Sequence, residues 1–159
     1  MRSHPSLIAA AALLATAAQA ATGTLQGLLD AGPLAGTTFT GSYSYDDSGL
    51  TGATFEQIAL TGFSLTLLSD VFSLNTSATA DFGSGVFLGL SYTDARTGYT
   101  LTLSSGSVDA SDAFVHYQPT TGLESSGGYT VSAVPEPASY ALLIGGLCSL
   151  SLMARRRQR

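Results

Sequence analysis

Thr38-Phe39-Thr40-Gly41-Ser42-Tyr43-Ser44-Tyr45 decides how the middle of this 159-residue chain is read. Phe39, Gly41, Tyr43 and Tyr45 fall on one face, and Thr38, Thr40, Ser42 and Ser44 on the other. That is the period-2 pattern of a half-buried antiparallel strand. Asp46-Asp47-Ser48-Gly49 then supplies a turn. The alternation returns at Phe63, Leu65 and Leu67, at Val86, Leu88, Leu90 and Tyr92 (where Phe87 interrupts the polar face), and at Tyr99, Leu101 and Leu103. Asp94 to Gly98 reads as a hairpin loop between the last two. Shorter runs at Val71–Leu74, Phe114–Tyr117 and Tyr129–Ala133 complete a set of short amphipathic strands.

Amphipathic strands with Gly/Asp/Ser turns between them predict an all-β, antiparallel domain, a β-sandwich or jelly roll. The only helical patterns inside it are weak ones near Leu25–Leu29 and Phe55–Leu60. Thr-rich edges without lysine leave edge pairing, and hence oligomers or matrix assembly, open.

Both ends depart from this pattern. Arg2 and His4 precede the apolar run Leu7–Ala18, and Ala18-Gln19-Ala20 has the small-x-small form that signal peptidase cuts. A secretory signal peptide over 1–20, cleaved after Ala20, is the expected reading. At the other end Val134-Pro135-Glu136-Pro137-Ala138-Ser139 precedes the apolar run Tyr140–Ala154 and then Arg155-Arg156-Arg157-Gln158-Arg159. Two prolines around one residue disfavour helix and keep the strip extended. A 15-residue run (Tyr140 to Ala154) just reaches across a thin bilayer as a helix. Arg155, Arg156, Arg157 and Arg159 resist crossing, so they stop the tail on the cytoplasmic side while the domain faces outward.

This order of parts over 134–159 resembles the PEP-CTERM sorting signal, which exosortases recognise. The resemblance implies that Pro135, Glu136 and Pro137 are the recognition strip and that the four arginines are the stop-transfer cluster. It implies a Gram-negative exporter of exopolysaccharide or biofilm, with signal peptidase and exosortase as processing partners. The precursor would be held in the inner membrane, and the mature protein would end at the cell surface or in the extracellular matrix. It implies no activity for the β-domain over 21–133.

Charge narrows the partners further. Of the 11 acidic residues only Glu136 lies outside 21–133, and of the 6 basic residues only Arg96 lies inside it. Nucleic acid and anionic lipid, both bound through Lys and Arg, are therefore not expected partners. Exopolysaccharide remains a candidate partner. Cys148, the one cysteine, lies in the apolar tail and reads as a small membrane residue, so the domain has no internal disulfide.

No catalytic residues are assigned and no enzymatic activity is inferred. His116 is the only histidine after signal cleavage, it sits in a strand pattern, and no serine lies in a nucleophile elbow. One histidine and no cysteine cannot make a zinc site. No cofactor is expected; among ligands, calcium best matches the oxygen donors available. Its candidate ligands are the loop pairs Asp46, Asp47 and Asp109, Asp112, which read otherwise as turn residues. Asn75-Thr76-Ser77 matches the N-glycosylation triplet. The tyrosines read as core residues before sugar-stacking platforms. Three functions compete: a structural or adhesive matrix component, a carbohydrate-binding module of jelly-roll type, and an exported hydrolase, which would need two nearby carboxylates in a cleft.

Overall fold

The computed structural model describes residues 20–133. The expected signal helix and transmembrane helix lie outside these residues. Within them the chain forms β1 (Ala20–Ala31), β2 (Thr38–Asp46), β3 (Glu56–Leu67), β4 (Asp70–Ser73), β5 (Thr79–Gly83), β6 (Val86–Arg96), β7 (Tyr99–Ser104), β8 (Phe114–Pro119) and β9 (Ser125–Ala133). Every ladder is antiparallel.

The two-layer sandwich or jelly roll expected from the sequence gives way to an eight-stranded closed barrel. Its strands run β1-β2-β3-β5-β6-β7-β8-β9, and β9 pairs back onto β1. Two long strands make closure possible. β3 pairs with β2 along Leu60–Leu67 and with β5 along Glu56–Ala59, and β6 pairs with β5 through Ser91 and with β7 from Tyr92 onward. Each hands the sheet from one neighbour to the next without leaving an edge, and closure abolishes edges. β4 is a flap on the far half of β3. Its carbonyl at Val71 accepts from Arg96 Nη2 at 2.6 Å, and the Arg96 guanidinium lies 4.1 Å over the Phe72 ring.

The alternation read from sequence fills the interior. Leu25, Leu29, Phe39, Tyr43, Leu65, Leu67, Phe72, Leu90, Tyr92, Leu101, Leu103 and Val115 belong to one buried cluster. Both weak helical patterns are strands instead, in β1 and at the start of β3. A spacing of four fits either period, because Leu25 and Leu29 also lie two pleats apart. Glycine decides between the two: Gly23 pairs with Tyr43 and Gly27 with Phe39. A Cβ at either glycine would fall on the facing ring, so β1 is a shelf on which β2 lays its aromatics.

The irregularity at Phe87 has a cause in register. Asp81 pairs with Gly89 but Phe82 with Phe87, so Leu88 is an extra residue in β6. This bulge rests on Gly89 at φ +123°, which disfavours a side chain. It leaves Phe87 beside Tyr43, Tyr45 and Phe82, with ring centroids 5.3–6.1 Å apart.

Past the bulge the β6–β7 ladder opens, and Tyr129 fills the gap from β9. Its hydroxyl donates to the Leu90 carbonyl at 2.7 Å and accepts from the Leu90 N–H at 2.9 Å. One side chain thus satisfies a backbone pair that β7 would otherwise serve, and burial raises its pKa above the usual tyrosine value. Tyr129→Phe removes this hydroxyl without changing the ring. The expected loss is about 1–3 kcal/mol of stability in urea unfolding, because the Leu90 groups stay buried. An unchanged midpoint would show that water reaches them.

Candidate functional site

Strand direction places both chain exits on one rim. Ala20 at the start of β1 pairs with Asp46 at the end of β2, and Ala133 at the end of β9 pairs with Gly23. The loop between β2 and β3, the Ser84-Gly85 turn between β5 and β6, and the loop between β7 and β8 lie at this same rim by the up-and-down order. Only Val134 separates β9 from Pro135. The sequence-assigned Ala18, Pro135, Glu136, Pro137, Arg155, Arg156, Arg157 and Arg159 lie outside the described residues, as does Cys148. Ala20 is the first residue of β1.

The four candidate calcium ligands lie at two rim connections: Asp46 ends β2 and Asp47 follows it, and Asp109 and Asp112 lie in the β7–β8 loop. Asp46 accepts from the Ser48 N–H at 2.9 Å, and Asp47 opens the short 3₁₀ turn that follows. Asp109 accepts from the Ser111 N–H at 2.7 Å, and Asp112 accepts from the Ser107 N–H and hydroxyl at 3.0 and 2.6 Å. Each therefore shapes its own loop. Among the described residues no group of three or more His, Cys, Asp or Glu is close enough together to hold a metal ion. Glu56, not singled out in the sequence, does the same work for the β2–β3 loop. It accepts from Thr51 N–H and hydroxyl, Gly52 N–H and Ala53 N–H at 2.7–3.1 Å. These hydrogen bonds lower the pKa of Asp46, Glu56, Asp109 and Asp112 below the ordinary carboxylate range.

The buried carboxylate among the described residues was not legible as a site at all. Asp81 is 1% exposed. It accepts from Thr79 Oγ1 at 2.7 Å, Ser91 Oγ at 2.5 Å, Ser105 Oγ at 2.7 Å and Gln57 Nε2 at 3.2 Å. The four donors come from β3, β5, β6 and the segment after β7. Neutral donors replace the water a carboxylate loses on burial. The cluster joins the strands around the bulge and offers no second carboxylate for hydrolytic chemistry. The only sequence sign is Thr79-x-Asp81, one face of a strand with a charge where an apolar neighbour would be ordinary.

The remaining candidates have structural partners. His116 is partly exposed opposite the buried Val115, with Glu124 Oε2 at 3.8 Å. Asn75 donates to the Thr93 carbonyl at 2.9 Å and accepts from Ser77 N–H and hydroxyl, so its triplet staples the segment after β4 to β6. Tyr43, Tyr92 and Tyr129 are buried, and Tyr45, Tyr99 and Tyr117 pack against the core. Burial raises the Tyr43 pKa to about 12.

Two rows of uncharged polar residues cross the outer wall over β9, β1, β2 and β3. Ser132, Thr24, Ser42 and Ser64 form one row of paired positions, and Thr130, Gln26, Thr40 and Thr66 the next. Two shallow clefts open there. One of about 560 Å³ is lined by Gln26, Leu28, Thr38, Thr40, Ser111 and Thr130 among others, and one of about 380 Å³ by Thr22, Thr24, Ser42, Ser44 and Ser64 among others.

Two outcomes follow from these carboxylates. Asp81→Ala removes the shared acceptor of three partly buried hydroxyls and the exposed Gln57 amide and is expected to cost roughly 1–3 kcal/mol, whereas Asp81→Asn keeps one acceptor oxygen and is expected to cost less in urea unfolding. Equal losses would mean that the negative charge itself is what the cluster needs. The rim carboxylates predict the pH response. Their folded pKa values lie below the unfolded ones, so the unfolded chain binds more protons below about pH 4, and the stability they contribute is present above that range and lost beneath it. The melting temperature is expected to be lower at about pH 3 than at about pH 6.

The family model for the PEP-CTERM protein-sorting motif matches residues 133–157. The match begins on the last residue of β9 and runs through the proline strip, the apolar run and three of the arginines. No curated protein and no solved structure matches the chain significantly. The chain thus carries a PEP-CTERM sorting motif joined directly to a closed β-barrel.

Proposed function

We propose that this chain is an exported protein whose barrel is delivered to the cell surface or extracellular matrix, and whose tail is processed by an exosortase. The observation that carries this reading is the sorting motif at residues 133–157, directly behind the last strand. A sorting motif of this kind implies export and an exosortase as processing partner. The signal peptide over 1–20 and the inner-membrane intermediate complete the route. Cleavage after Ala20 removes one ladder residue and leaves Ala21–Ala31 to pair with β2 and β9.

In this reading the barrel is a structural or adhesive component without catalytic activity. β4 pairs on one side only, so its outer edge is open to pairing. Ten carboxylates against Arg96 in 21–133 favour solubility and disfavour nucleic acid. A second reading, carbohydrate binding, is favoured by the hydroxyl-rich rows of the wall and its two clefts, whose linings are uncharged. It does not need the jelly roll. A hydrolase is the weakest reading, since neither cleft on that wall is lined by a carboxylate.

Replacing both motif prolines, Pro135→Ala with Pro137→Ala, is expected to leave the uncut tail in the inner membrane. The mass of protein recovered from the medium reports both cleavage points. Export of the double variant at the wild-type mass would remove the sorting reading. A pull-down on neutral polysaccharide separates adhesion from carbohydrate binding. Retention on an anionic polymer should need cation bridges and disappear on chelation.

A further inference from the structure

Three apolar side chains are exposed on the rim from which the strands lead to both chain termini, each in or next to one of three connections. Phe55 (56% exposed) ends the β2–β3 loop, Val86 (50%) follows the β5–β6 turn, and Val108 (77%) lies in the β7–β8 loop. β9 delivers the chain to this rim at Ala133, and the apolar run begins at Tyr140. The residues between them, 134–139, reach at most roughly 20 Å when fully extended. The N-terminal apolar run, ending at Ala18, joins β1 at the same rim. A chain held by either run therefore keeps this rim beside the headgroups. The opposite rim, where Leu68 and Leu123 are exposed, stands roughly 25 Å farther off for ten-residue strands tilted about 40°.

Charge selects the kind of surface. Asp46, Asp47 and Glu56 lie in or beside the β2–β3 loop that carries Phe55, Asp109 and Asp112 lie in the β7–β8 loop that carries Val108, and the three connections contain no Lys or Arg. Anionic headgroups would be repelled, whereas zwitterionic ones present their ammonium groups outermost. We propose that this rim docks on the zwitterionic lipid surface of the membrane holding the tail, with Phe55, Val86 and Val108 placed at headgroup level. The proposal rests on the reading of the terminal apolar runs as membrane segments. Apolar side chains on an otherwise polar surface enter this layer to a depth of about 5–10 Å in interfacial helices, and loop tips face the same chemistry.

The test uses the full chain with Cys148→Ser and one new cysteine at a time: Phe55→Cys, Val108→Cys or Leu123→Cys. Each carries an environment-sensitive fluorophore, in phosphatidylcholine vesicles containing a nitroxide-labelled lipid. The expected result is loss of fluorescence at the Phe55 and Val108 positions and none at Leu123, with the loss reduced when phosphatidylglycerol is added. Protein that floats with the vesicles but is quenched equally at Val108 and Leu123 overturns the docking while leaving the membrane reading intact. A spectral blue shift at Val108 without lipid quenching also overturns it, in favour of contact with protein. Protein that does not float with the vesicles removes the membrane reading and the docking together.

Discussion

The pairing of β1 with β9 is the constraint on which the rest of the structure depends. It joins Gly23–Ala31 to Ser126–Ala133, the first and last strands of the domain. Without it the eight strands would form an open sheet with two long unpaired edges and an apolar face on one side only. With it, that face becomes an interior, and Ser, Thr and Gln rows cover much of the outer wall over β9, β1, β2 and β3. The ladder also requires close approach. A Cβ at Gly127 would meet the Leu28 carbonyl, and one at Gly27 the Phe39 ring and the Gly128 carbonyl. Side chains at these positions would push β1, β2 and β9 apart, so glycine is part of what closes the barrel.

Period-2 alternation made most strands legible, and the residues assigned to one face at Phe39–Tyr45, Phe63–Leu67 and Tyr99–Leu103 share a face in the barrel. Alternation does not encode closure. An inward face looks the same whether it meets a second sheet or its own far side, which is why a sandwich was expected. The same limit hid the bulge. Phe87 was visible as a break in the pattern, but its cause is the pairing of Asp81 with Gly89, eight residues apart in sequence and in different strands. β9 begins at Ser125, before the alternating run Tyr129–Ala133, because Gly127 and Gly128 have no side chain to show alternation yet are ladder residues.

The site divides along similar lines. A sorting tail is a linear signal, and its parts are recognised by order and spacing alone. The rim that presents it is built by register and could not be read from the chain. Neither could the distinction among acidic residues. Asp46, Asp109 and Asp112 look alike in sequence and prove alike in structure, each bonded to N–H groups of its own loop. Asp81 looks no different from them, yet it gathers donors from four segments because its neighbours in space, Ser91 and Ser105, are distant in sequence.

Having both chain ends side by side makes the barrel's resistance to tension depend on direction. A load applied between Ala20 and Ala133 opens the β1–β9 ladder like a zipper, one hydrogen-bonded pair at a time. A load applied between the tail and the opposite rim runs along β9 instead, so its bonds to β1 and β8 are stretched together and share the force. A barrel tethered through its tail and gripped from the far side is therefore loaded in its stronger direction, and removal of the N-terminal segment eliminates the weaker one.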